Sequence, residues 1–204
     1  MNFRAAPVHR WQPGSTCRRG RCAPRHCLPI ASPARRTWLL CGGLRADLLR
    51  EVSPLLRFDF TGLGHSGGEF ANTGFRSNVD DIRAAARWMR DEGMPAQLAI
   101  GHSLGGAAVL ASAPDLADLR AVVTIGAPAD PVHVLKHFGE TLDEIRSKGK
   151  AVVSLAGRDF EIGRSLVEDV EETRLVGRIG QLRAALFVLH APRDETVGID
   201  NAAA

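Results

Sequence analysis

From residue 55 onward, short apolar runs alternate with stretches whose apolar positions recur every three or four residues. Leu55-Leu56-Arg57-Phe58-Asp59-Phe60 predicts a buried strand that ends in the glycine-rich Thr61-Gly62-Leu63-Gly64. Ser77 then predicts the N-cap of a helix that carries Val79, Ile82, Ala86 and Met89 on one face, with Gly93 and Pro95 closing it. Residues 97–100 predict a short strand, the small apolar stretch 104–112 a helix, and residues 121–125 another strand. Strands alternating with helices in this way predict an α/β class domain with a mostly parallel, doubly wound sheet.

The alternation breaks at residues 132–182. Two amphipathic helices, about 132–147 and 164–180, flank a hairpin in which Val152-Val153-Ser154-Leu155 and Asp159-Phe160-Glu161-Ile162 are joined by Ala156-Gly157-Arg158. This predicts a cap inserted over the sheet edge. Residues 184–190 return to a buried strand, Ala191-Pro192-Arg193-Asp194 form its exit loop, and Val197 onward starts a helix that the chain end cuts short.

Composition changes the picture mainly at the N-terminus. Residues 1–57 hold eleven arginines against only Asp47 and Glu51, a net of +9, which leaves −6 on the rest of a chain whose total is +3. Residues 1–36 are rich in Arg, Pro and Cys without helical or strand periodicity, and read as a disordered basic arm ahead of a domain over 37–204. Within that domain residues 37–41 suggest a short strand and 44–52 a short helix. A basic arm can bind nucleic acid or anionic lipid, but a solvated tail is the preferred reading. No Tyr and few aromatic residues argue against base-stacking modules, so no nucleic-acid partner is expected. All four cysteines fall in the first 41 residues. Cys17, Cys22, His26 and Cys27 are zinc-ligand types, yet their spacing is not that of paired zinc knuckles, so no metal is expected. Arg35-Arg36 precedes an apolar stretch too short for an export signal, and no run approaches the roughly 18 apolar residues of a membrane span. No membrane association and a cytoplasmic location are the expectations.

Gly-x-Ser-x-Gly occurs twice, as Gly101-His102-Ser103-Leu104-Gly105 and as Gly64-His65-Ser66-Gly67-Gly68. A nucleophilic serine of this kind needs a sharp strand-to-helix turn. The turn exposes its hydroxyl above the sheet, and the helix N-terminus faces developing negative charge. Only Ser103 has a strand before it and a helix after it. Ser66 follows a loop and opens no helix, so Ser103 is the candidate nucleophile.

The elbow Gly-His-Ser-Leu-Gly-Gly, with Phe58-Asp59-Phe60-Thr61-Gly62-Leu63-Gly64-His65-Ser66 about forty residues earlier, resembles the α/β-hydrolase superfamily. Four stretches resemble, more narrowly, the hydrolase domain fused to an OsmC-like domain in bacterial proteins. They are Arg57 to Gly64, Ser77-Asn78-Val79-Asp80-Asp81, Ile125-Gly126-Ala127-Pro128-Ala129-Asp130-Pro131 and Val197-Gly198-Ile199-Asp200-Asn201-Ala202. The resemblance covers about residues 55–204. It implies hydrolysis of an ester, thioester or amide in a small-molecule substrate, without metal or organic cofactor, and an OsmC-like domain in the intact protein.

In that fold the order is Ser, then Asp or Glu, then His. Asp194, in the loop after the strand that follows the cap, is the candidate acid; Glu195 and Asp130 are the fallbacks. The backbone N–H of Leu104 is one candidate oxyanion donor, and Gly42-Gly43 is a poor fit for the second. The base should follow another helix and strand, on the order of 20 residues. None of the seven histidines, His9, His26, His65, His102, His133, His137 and His190, follows Asp194. His102 reads as a packing residue, His65 as a possible pocket lining, and the His133/His137 pair as a solvated face rather than metal ligands. The expectation is a partial hydrolase domain, incomplete at its C-terminus and impaired. The Arg/Pro/Cys bias before residue 55 is expected to reflect a truncated or frame-disrupted gene. The alternative is a non-catalytic fragment or small-molecule-binding module derived from such a hydrolase.

Overall fold

The computed structural model describes residues 30–31, 55–64, 66–155 and 158–204. Apart from 30–31, the readings on the basic arm, the Cys17/Cys22/His26/Cys27 cluster, the strand at 37–41, the helix at 44–52 and the Gly42-Gly43 loop lie outside the described residues. So does His65.

The described strands form a parallel sheet and a hairpin. Strand β1 (Ile30–Ala31), β2 (Leu98–His102), β3 (Ala121–Ile125) and β6 (Ala185–Leu189) lie in the order β1-β2-β3-β6, every neighbour parallel. Strands β4 (Lys150–Leu155) and β5 (Arg158–Gly163) pair antiparallel with Val153 opposite Phe160. Five helices accompany them among the described residues: α1 (Phe75–Asp91), α2 (Leu104–Ser112), α3 (Thr141–Lys148), α4 (Arg164–Glu172) and α5 (Leu175–Ile179).

Helix α1 carries the expected apolar face: Phe75, Val79, Ile82, Ala86 and Met89 are all buried. Its start differs from the expectation. Gly74 is the N-cap and Ser77 stands three residues in, where its Oγ accepts the Gly74 N–H at 3.1 Å. The reason lies across the fold. Asp169 of α4 accepts the Arg76 N–H at 2.9 Å, and its carboxylate fills the space a Cβ at residue 74 would need. A helix N-terminus welcomes such a carboxylate, both for the unpaired N–H groups and for the dipole. The far end closes as expected on Gly93 (φ 74°). Met94 N–H bonds Met89 O and Gly93 N–H bonds Arg90 O, which satisfies the last carbonyls.

Helix α2 and strand β3 occupy the expected residues, 104–112 and 121–125. From Gly105 to Ser112 every residue of α2 is buried, which its small side chains permit against the sheet. The 132–182 region differs in detail. A 3-10 turn, Pro131–His137, replaces the first part of the first helix, and Gly139 at φ 51° separates it from α3. The second helix breaks at Thr173, which is extended and whose hydroxyl bonds the Asp169 carbonyl at 2.7 Å. The hairpin stands where expected. Ile145, Val153, Ile162, Val167 and Val170 belong to the same buried cluster as Ile82, Val109 and Val122, so the insertion shares one core with the sheet.

Two strand expectations fail. Residues 55–60 form only a single bridge at Leu55, although Leu56 and Phe60 are buried. No neighbouring strand supplies a ladder for this segment among the described residues. Strand β6 forms but is not buried: it pairs with β3 alone among the described residues, and Phe187 is 61% exposed. An apolar run signals a strand; which faces are covered depends on its neighbours.

Candidate functional site

The elbow is built from close backbone approach. A Cβ on Gly101 would stand 2.6 Å from Gly105 O and Gly106 Cα, and one on Gly106 would stand 2.5 Å from Ala127 Cβ. The two glycines let β2 turn directly into α2. Between them Ser103 adopts φ 52° and ψ −131°, the only non-glycine positive φ among the described residues. Such a conformation costs of order 1–3 kcal/mol in a residue with a Cβ and persists only where the surroundings enforce it. Here the Ser103 N–H bonds Ile125 O at 3.0 Å, extending the sheet one residue past β2, while Ser103 O accepts from Gly106 N–H at 2.9 Å and starts the helix. Leu104 is the first helical residue, so its N–H has no intrahelical acceptor and lies at the positive end of the α2 dipole.

Ser66 has a different environment. Its hydroxyl donates to Asp59 O at 2.5 Å, its φ is not positive, and only a three-residue 3-10 turn, Phe70–Asn72, follows. The loop it belongs to is tied to α1 by Asp81, which accepts Thr61 N–H at 2.8 Å and Thr61 Oγ1–H at 3.0 Å. Burial pushes the Asp81 carboxyl up, against the Thr61 bonds that lower it.

Asp194 lies in the loop after β6, two strands away from Ser103 across the same sheet end, on the order of 10 Å at ordinary strand spacing. Gly126, directly after β3, stands between them: a Cβ there would meet Asp194 Oδ2 at 3.1 Å. Asp194 Oδ1 accepts the N–H groups of Thr196 and Val197, each at 2.9 Å. Burial raises its carboxyl pKa, but those two donors and the nearby His190 and His102 outweigh it and hold the group below its ordinary value. One oxygen is therefore engaged in its own loop and the other faces Gly126. Glu195 is exposed with no such bonds, and Asp130 caps the 3-10 turn by accepting Val132 N–H at 3.0 Å.

Two of the described histidines bond backbone carbonyls away from Ser103. His137 Nε2 donates to Thr196 O at 2.9 Å and His190 Nε2 to Val197 O at 2.8 Å. His102 is half-buried, and burial lowers its pKa against the opposing pull of Asp194. His133 and His137 lie on a 3-10 turn with ring centroids 6.3 Å apart, and no group of three or more metal-ligating side chains occurs among the described residues. A cavity of about 300 Å³ lies away from the elbow, lined by Phe75, Arg76, Val79, Asp80, Arg83 and Arg178 among others. The ion pairs Arg83–Asp115 and Arg178–Asp115 hold its rim.

Two contacts were not foreseen from the sequence. Asn201 Oδ1 accepts Ala129 N–H at 3.1 Å, so the stretches 125–131 and 197–202 meet in space. The His190–Asp194 pair, 3.8 Å apart, could have been noticed from its i, i+4 spacing around Pro192. Among the described residues no helix is long and apolar enough to cross a membrane.

No family model matches the chain, and no curated protein matches it. Solved structures do. The esterase domain of a Rhodothermus marinus protein is 40% identical with a TM-score of 0.68, over 88% of this chain and 70% of that one. Est1E from Butyrivibrio proteoclasticus, solved with ferulic acid, is 18% identical with a TM-score of 0.71, over 88% and 74%. Mouse alpha/beta hydrolase domain-containing protein 10 is 20% identical with a TM-score of 0.64, over 91% and 75%. The last two share the fold alone. At the identity and coverage of the first, and with a serine held at positive φ between a parallel strand and a buried helix, the chain belongs to the α/β-hydrolase superfamily.

Proposed function

We propose that the site is that of a serine hydrolase cleaving ester, thioester or amide bonds in a small-molecule substrate, with Ser103 as nucleophile. The observation that carries this reading is the strained backbone of Ser103 at the β2–α2 turn. The likeness to an esterase domain favours esters within that range. Ser103 Oγ attacks the carbonyl carbon, its proton passes to a base, and the oxyanion that forms is held by the Leu104 N–H at the helix terminus. The base then protonates the leaving group, and water repeats the cycle on the acyl-enzyme. Asp194 is placed to orient an imidazole that would serve as base. The narrower sequence resemblance, to hydrolase domains fused to an OsmC-like domain, is consistent with this chemistry.

The base is the weak link. No described histidine bonds the Ser103 hydroxyl. A serine hydroxyl without a base is a poor nucleophile at neutral pH. With no histidine bonded to Ser103 among the described residues, turnover of p-nitrophenyl acetate or butyrate by these 204 residues is expected to be slow. The same observation favours a second reading, a module that keeps the pocket and binds without cleaving. Added imidazole separates the two. A hydrolase lacking only its base gains turnover with imidazole, and the gain disappears in Ser103→Ala. A binding module gains nothing beyond what imidazole does in buffer.

A further inference from the structure

We propose that His190 is the positioning residue of the acid loop, fixing Asp194 so that one carboxylate oxygen remains directed across the sheet end. The inference deepens the serine-hydrolase reading and rests on it for the role of Asp194. The geometry is a closed bracket. His190 leaves β6 and its side chain is only 2% exposed. Its Nε2–H donates to Val197 O at 2.8 Å. Val197 in turn gives its N–H to Asp194 Oδ1 at 2.9 Å, and Thr196 does the same. The two faces of one peptide residue thus join the histidine and the acid. Oδ1 is consumed within the loop. Oδ2 is left beside Gly126, the residue after Ile125, whose carbonyl accepts the Ser103 N–H.

The remaining ring nitrogen supports the assignment. His190 Nδ1 is buried with no hydrogen-bond partner among the described residues. A ring in its Nε2–H form keeps Nδ1 as a lone-pair acceptor, which costs less to leave unpaired than a buried N–H. The Nε2–H tautomer is thus selected by the Val197 carbonyl. Among the described residues, the Asp194 carboxylate stands 3.8 Å from Nε2 and the Val197 carbonyl bonds it. A 3.8 Å separation is too long for a hydrogen bond, so the histidine acts on the acid through the Val197 peptide.

Two measurements on the full 204-residue chain test this. Long-range ¹H–¹⁵N correlation should find a slowly exchanging proton on His190 Nε2; a ring protonated at Nδ1 with Nε2 bare overturns the proposal without any mutation. The variants His190→Gln and His190→Asn then separate hydrogen bonding from filling of space. Gln places an N–H near the Nε2 position and Asn does not reach it. Amide exchange at Thr196 and Val197 should stay near the native rate in His190→Gln and rise about tenfold or more in His190→Asn, the response expected when a local bracket opens. Equal exchange in the two variants overturns the proposal. Neither readout involves turnover, so failure of the serine-hydrolase reading, seen as absent Ser103-dependent hydrolysis with imidazole, remains distinguishable.

Discussion

At the scale of single residues, two positions carry the site's energetics. Ser103 is held at φ 52°, where glycine pays little and any side chain pays more. Ser103→Gly should therefore raise stability by about 1 kcal/mol while removing the nucleophile. Urea unfolding measures it, and a loss of stability would mean that the elbow is not strained. His102 next door is held below its ordinary value by burial, so it stays neutral in the folded chain below the pH where the unfolded chain takes up a proton. The stability linked to it is present above about pH 6.5 and is lost as the pH falls from there toward the depressed native value. The drop in Tm between about pH 7.5 and pH 5.5 should accordingly shrink in His102→Asn. An unchanged drop would place the titrating group elsewhere, with His133, also lowered by burial, the next to substitute.

At the scale of elements, the sequence was most legible where a segment's own side chains decide its structure. The small apolar run 104–112 and the β-branched run 121–125 became α2 and β3 at the residues expected, because local propensity and burial agree there. Capping was less legible. Nothing near Ser77 announces that Asp169, on another helix, takes over the N-terminus of α1 and moves the cap to Gly74. Burial of β6 was not legible either, since an apolar strand reads alike whether its neighbours cover it or not. Phe75 and Phe187 make the contrast measurable. Phe75 is 1% exposed in α1, and Phe75→Ala should cost about 3–5 kcal/mol. Phe187, in β6, is 61% exposed, and Phe187→Ala should cost less than about 1 kcal/mol. Comparable losses in denaturant titrations would show that β6 is covered in solution.

At the scale of the molecule, the sheet gathers residues far apart in sequence at one end. Ser103, Gly126 and Asp194 follow three neighbouring parallel strands, the place where open α/β sheets put their ligands. The order of strands made the placement of Ser103 and Asp194 at one sheet end legible before any coordinates, since each follows its strand by the expected step. The loop bracket around Asp194 was not, because its bonds run through backbone groups that carry no sequence signature. The central proposal is that Ser103 acts as nucleophile with Asp194 as its acid and the Leu104 N–H as one oxyanion donor, while no histidine among the described residues bonds its hydroxyl. A fluorophosphonate probe, with the adduct located by peptide mass, tests it most directly. The account predicts slow labelling confined to Ser103, accelerated by imidazole and absent in Ser103→Ala. Labelling at Ser66, or equal labelling of the native chain and Ser103→Ala, would contradict it.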